Sequence, residues 1–152
     1  MSNDMLDAPP PAAADAAEPA APVKLWPPTA WTVHRARHAL VDVLDEWELD
    51  ELGDVAQLVL SELLTNAVQH GRVPGRDIGT RFLRLAEGGL RIEVHDPREA
   101  GPAPRTAGAW DEDGRGLALV EALTAGRWGT ATREGPGKLV WADLLPAEAR
   151  LP

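Results

Sequence analysis

Residues 50–71 read DELGDVAQLVLSELLTNAVQHG, and the fold turns on how this stretch distributes its apolar side chains. Leu52, Val55, Val59, Leu60, Leu63, Leu64, Ala67 and Val68 recur at helical spacing but spread around most of the circumference. That is the pattern of a helix buried on more than one side. Asp50 is placed to cap it, and Gly71 to stop it. Glu62 and Asn66 stand four apart and so share one face. A carboxylate and an amide on such a helix are costly unless something satisfies them. Two readings follow: hydrogen bonds to nearby backbone, or a metal-and-base pair pointing into a pocket.

Upstream, Val33, Ala36, Leu40, Leu44 and Trp47 recur at three and four residues among polar ones, which predicts an amphipathic helix starting after Pro28 and Thr29. His34 and His38 share a face of it; with no third ligand in view, a solvated face is expected rather than zinc. Downstream, residues 78–86 and 90–96 predict two strands joined by Glu87-Gly88-Gly89. In the second, Leu90, Ile92 and Val94 face one way, and Arg91, Glu93 and His95 the other. Asp96 falls on the apolar side, either as the first turn residue before Pro97 or as the floor of a pocket.

Residues 97–113 hold three prolines and two glycines with no period, a loop long enough to be functional or disordered. Gly114-Arg115-Gly116 then opens a short helix that Gly126 closes. These glycines serve either an ordinary turn or a close approach to an anion at a helix N-terminus. Strands at 127–134 and 138–145 are joined by Gly135-Pro136-Gly137. Gly137-Lys138 is a hairpin turn, since position 132 is Thr and a phosphate-binding Walker loop needs Gly there. The order helix, helix, hairpin, loop, helix, hairpin implies an α+β two-layer sandwich, its sheet mixed but mostly antiparallel and its helices on one face.

The chain has 152 residues, about one domain. Residues 1–24 are nearly all Ala, Pro and acid, with little bulky apolar surface to offset the entropy of folding. They are expected to be a disordered tail, 25–146 the domain and 147–152 a second tail. There is no signal-peptide pattern and no apolar run of ~20 residues, so a soluble, cytoplasmic protein without membrane contact is expected. Cysteine is absent, which removes disulfides, thiolate metal sites and cysteine nucleophiles together. A net charge of −9 without a basic stripe argues against nucleic acid as a partner. Any phosphate bound is expected to be held by backbone amides and a metal ion. Trp26, Trp31, Trp47, Trp128 and Trp141 are expected to pack in the core or at its edge.

Taken in order, SELLTNAVQHG at 61–71, VHDP at 94–97, GRGLALVEAL at 114–123 with RWG at 127–129, and GKLVWADL at 137–144 resemble the GHKL ATPase superfamily of histidine kinase-like and gyrase-like ATP-binding domains. Within it they are most similar to the anti-sigma-factor serine/threonine kinases and their actinobacterial relatives. The resemblance covers about 25–145 and implies a Bergerat-type ATP-binding fold with ATP and Mg2+ as cofactors. It matches Asn66 to the asparagine that holds Mg2+, Glu62 to the general base, and Asp96 to the aspartate that accepts from the adenine amine. Gly114, Arg115, Gly116 and Leu117 match the phosphate-contacting turn, and 97–113 the lid; Arg105 and Arg115 are candidate cations near the phosphates, and Trp110 a candidate cover. The implied partners are an anti-sigma-factor antagonist of the STAS type, a sigma factor, and a second copy in a homodimer. The alternative is a partner-binding module of the same fold without turnover. Two departures stand out: Pro97, Arg98, Glu99 and Ala100 replace DxGxG, and Leu139 stands where many relatives carry Thr after Gly-Lys, near the adenine site.

Overall fold

The computed structural model describes residues 23–70, 76–86, 88–97, 114–132 and 137–146. In chain order the elements are β1 (Lys24–Trp26), α1 (Ala30–Glu46), a 3-10 turn (Asp50–Leu52), α2 (Gly53–His70), β2 (Ile78–Arg84), β3 (Leu90–Asp96), α3 (Gly114–Thr124), β4 (Trp128–Thr132) and β5 (Lys138–Leu144). The sheet runs β1-β2-β3-β5-β4, and every pairing is antiparallel. The mostly antiparallel sheet is as expected, and among the described residues no two neighbouring strands are parallel. The α+β sandwich itself is as expected.

Periodicity located the long helices because α1 buries one stripe and α2 a much broader face. In α1 that stripe is Thr32, Ala36, Leu40 and Leu44. Thr29 caps α1 with extended backbone but makes no side-chain cap bond; instead the Thr32 hydroxyl donates to the Pro27 carbonyl. Asp50 is not the cap of α2. It begins the 3-10 turn, whose cap is Leu49, because Glu48 turns the chain through the left-handed region (φ 59°) and commits the next residues to a tight turn. In α2 the buried set includes Ala56, Val59, Leu60, Leu63, Leu64, Ala67 and Val68, which accounts for its apolar circumference.

The strand β1 is an addition to the expected topology and takes Lys24 out of the segment assigned to the tail. Trp26 sits opposite Ile78 and donates its indole N–H to Thr80 Oγ1 at 2.9 Å. Trp47 and Trp128 are partly buried against the core, but Trp31 is 64% exposed, contrary to the packing expected of it.

The helix-side face of the sheet continues the core through Ile78, Phe82, Leu90, Ile92, Val94, Val140, Ala142 and Leu144. The opposite face is also dry. Arg91, Glu93 and His95 are all buried, because each meets a partner there. Arg81 Nε donates to Glu93 Oε1 at 3.0 Å, and His95 Nε2 lies 3.1 Å from the same oxygen. Arg91 grips Asp143 through two bonds of 2.6 and 2.9 Å, and its guanidinium lies 5.4 Å from the Trp141 ring.

Burial alone would raise the Glu93 pKa, but hydrogen bonds from His95 and Arg81, with the Arg81 charge, hold it below its ordinary 4.5. A carboxylate depressed in the fold stabilises the folded state above its unfolded pKa. That contribution is lost as pH falls through the folded value. Urea unfolding midpoints should therefore drop below about pH 4.5 in the native protein, and Glu93→Gln should flatten that acid limb. Equal acid limbs in the two proteins would show the Glu93 network to be without effect.

Candidate functional site

The topology fixes which ends of the elements meet. Trp26, Ile78 and Asp96 lie at one end of the sheet, with Lys138 and Thr132. The helix α1 departs from that end after Trp26, and α2, joined by the short 3-10 turn, packs antiparallel to it and returns. Arg37 of α1 reaches Gln57 of α2, as that pairing requires. The C-terminal half of α2, with Glu62 and Asn66, therefore approaches the sheet end that carries Asp96. Between α3 and β4, Ala125 and Gly126 turn through left-handed conformations (φ 55° and 82°). β4 then runs toward that same end, which turns the start of α3 to it as well.

Helical geometry separates the flanks of α2. Gln57 faces α1, and the Glu62–Asn66 row, about 140–180° around the helix, turns the other way, toward α3, which packs on α2. Glu62 is half-buried and able to meet both solvent and ligand. Asn66 is only 6% exposed, and its Nδ2 has no hydrogen-bond partner. The nitrogen of that amide is therefore not satisfied by nearby backbone. Ser61 Oγ is likewise unpartnered, but it lies on the α1 side of the helix.

Asp96 ends β3 on the helix-side face and is 4% exposed. Its cross-strand neighbour is Lys138, whereas Leu139 pairs with His95 on the opposite face. The side chain in register beside Asp96 on the helix-side face is thus that of Lys138, with Leu139 one residue further on. Gly137 fixes this register. It has φ +102°, and a Cβ there would come within 2.1 Å of the Asp96 carbonyl oxygen, so only glycine lets β5 start here. The signal was present in the sequence, since Lys138 is in phase with Val140, Ala142 and Leu144.

The helix α3 begins at Gly114 itself. Gly114, Arg115 and Gly116 thus form its first turn, where unpaired amides and the positive end of the helix dipole favour anions. Leu117 is half-buried. The side chain of Arg115 and all of Arg105, Trp110 and the 98–113 lid lie outside the described residues.

A family profile for the histidine kinase-like ATPase domain matches residues 26–142. The chain belongs to that family. An uncharacterized protein of Streptomyces coelicolor is 40% identical over 76 residues, 49% of this chain and 70% of the relative. No solved structure matches the chain. Membership in a histidine kinase-like ATPase family implies ATP binding, and the residues fit the task. A buried amide lacks a partner, a buried carboxylate closes the sheet end, and a glycine-opened helix starts at that end. Among the described residues no three His, Cys, Asp or Glu side chains gather in a metal-binding group, and no helix is long and apolar enough to cross a membrane.

Proposed function

We propose that this histidine kinase-like ATPase domain is a cytoplasmic regulatory protein kinase, which phosphorylates a serine or threonine on an anti-sigma-factor antagonist of the STAS type. The observation that carries this reading is the buried Asn66 carboxamide, its Nδ2 without a partner, one helical turn from the half-buried Glu62 carboxylate. In this reading the Asn66 carboxamide oxygen would hold Mg2+ against the nucleotide, since hard cations of this kind take one or two protein oxygens and complete their shell from phosphates and water. Mg-ATP supplies the electrophilic γ-phosphoryl group. Asp96 orients the base by accepting from its exocyclic amine. The first-turn amides of α3 face the phosphates, and Glu62 holds the proton of the acceptor hydroxyl. Positioning and charge neutralisation carry most of such a reaction.

Labelled ATP and a panel of STAS domains test the proposal. Phosphotransfer to one of them is expected, and Glu62→Ala should lower it roughly 10²–10⁴-fold, the range of a general base, while Mg-ATP affinity stays within about threefold. The replacement of DxGxG by Pro97, Arg98, Glu99 and Ala100 favours a second reading, a partner-binding module without turnover. Mg-ATP binding with no phosphoprotein from any domain in the panel would select it.

A further inference from the structure

No Asp or Glu occurs between Glu18 and Asp42, in a chain whose acids outnumber Lys and Arg by 24 to 15. The acid-free window contains Lys24, His34, Arg35, Arg37 and His38. Besides Arg37, which reaches Gln57, three of these, His34, Arg35 and His38, stand in the first half of α1, whose first turn holds no acid, at the end where the helix dipole disfavours cations. The same residues border an open groove of about 530 Å³ between β1 and α1. Its wall on α1 is an aromatic row: the Trp31 ring lies 4.9 Å from His34, which lies 4.7 Å from His38. Opposite, the Lys24 ammonium stands 4.8 Å over the Trp26 ring. Arg35 completes the basic lining, and the one acid of the groove, Asp42, lies at its far end, a turn beyond His38. This groove is on the α1 side of the helical layer, away from the Glu62–Asn66 flank.

We infer that this groove docks an acidic, extended segment of a protein partner, with one bulky apolar side chain seated against Trp31. An indole 64% exposed in a groove that Lys24 and Arg35 also line offers both halves of such an anchor: apolar area that gains by burial, and charge that selects the partner's sign. Tryptophan and arginine are the side chains most often found to dominate binding energy at interfaces. The overall negative charge of the protein repels acidic chains elsewhere on its surface and so directs them to this one window.

The test uses the full chain and a fluorescein-labelled peptide of Glu and Asp with one central Phe, read by anisotropy. Saturable, salt-sensitive binding is expected, weakened about thirtyfold by Trp31→Ala and about tenfold by Arg35→Glu. Both side chains are exposed, so both variants should fold, and unchanged thermal melts verify it. Binding no tighter than that of the same peptide with Lys for its acids overturns the inference, as does binding that survives both substitutions. A single-stranded oligonucleotide that binds tighter and displaces the peptide overturns it in favour of nucleic acid. Self-association lost in Trp31→Ala overturns it in favour of a second copy. Peptide binding that emerges only when Asp4, Asp7, Asp15 and Glu18 are made amides overturns it in favour of the chain's own N-terminal segment.

Discussion

Asp143→Ala is expected to cost about 3–5 kcal/mol of folding stability, the range found when one partner of a buried ion pair is deleted. The Arg91 side chain is 3% exposed, and Asp143 accepts two hydrogen bonds from it, of 2.6 and 2.9 Å. A guanidinium cannot shed its proton to escape burial. With the carboxylate gone, it keeps its charge over Trp141 or tears its strand away from the sheet. Urea unfolding followed by circular dichroism reads the loss directly. Replacing both partners together, as Arg91→Met with Asp143→Leu, should return stability to within about 1 kcal/mol of the native protein, because filling the site with apolar groups is often neutral or better. A single-variant cost below about 1 kcal/mol would mean the pair contributes no more than a surface bridge.

The second large effect has two opposite signs. Asn66→Ala should leave the ligand-free protein as stable as before or raise it by about 1 kcal/mol, since it removes a buried amide donor without a partner, whose penalty is about 1–3 kcal/mol, and leaves only a small cavity. The same change should weaken Mg-ATP binding roughly tenfold to a hundredfold, the worth of one strong charge-assisted contact. A residue kept for structure would lower both quantities, whereas one kept for function at a cost in stability moves them apart. Thermal melting without nucleotide and calorimetric titration with it give the pair of numbers. A fall in both would remove Asn66 from the site.

These expectations were legible in the sequence to different degrees. The helices α1 and α2 run 17 and 18 residues, enough turns for a 3.6-residue period to declare itself, and β3 alternates cleanly from Leu90 to His95. By contrast, β1 is three residues long, too short for any period, and exists only through its pairing with residues 78–80. Alternation placed Arg91, Glu93 and His95 on the second face correctly but could not say that the face is buried. That depends on Arg81 and Asp143, which lie 12 and 52 residues away from their partners in the chain. Within the site, Glu62, Asn66 and Asp96 were legible as polar residues in apolar company. Lys138 is less legible, because its glycine-lysine context reads as a turn and only its phase with Val140, Ala142 and Leu144 sets it beside Asp96.

The sheet is open on both sides, and its outer strands are unequal. At one margin β1 has three residues and is followed at once by Pro27 and Pro28, so a foreign chain could zip onto it for little more than a single repeat before reaching a backbone without donors. At the other, β4 has five residues. A ribbon trimmed this closely resists growing into fibrils by strand addition, and leaves association with other proteins to side chains instead of bare backbone.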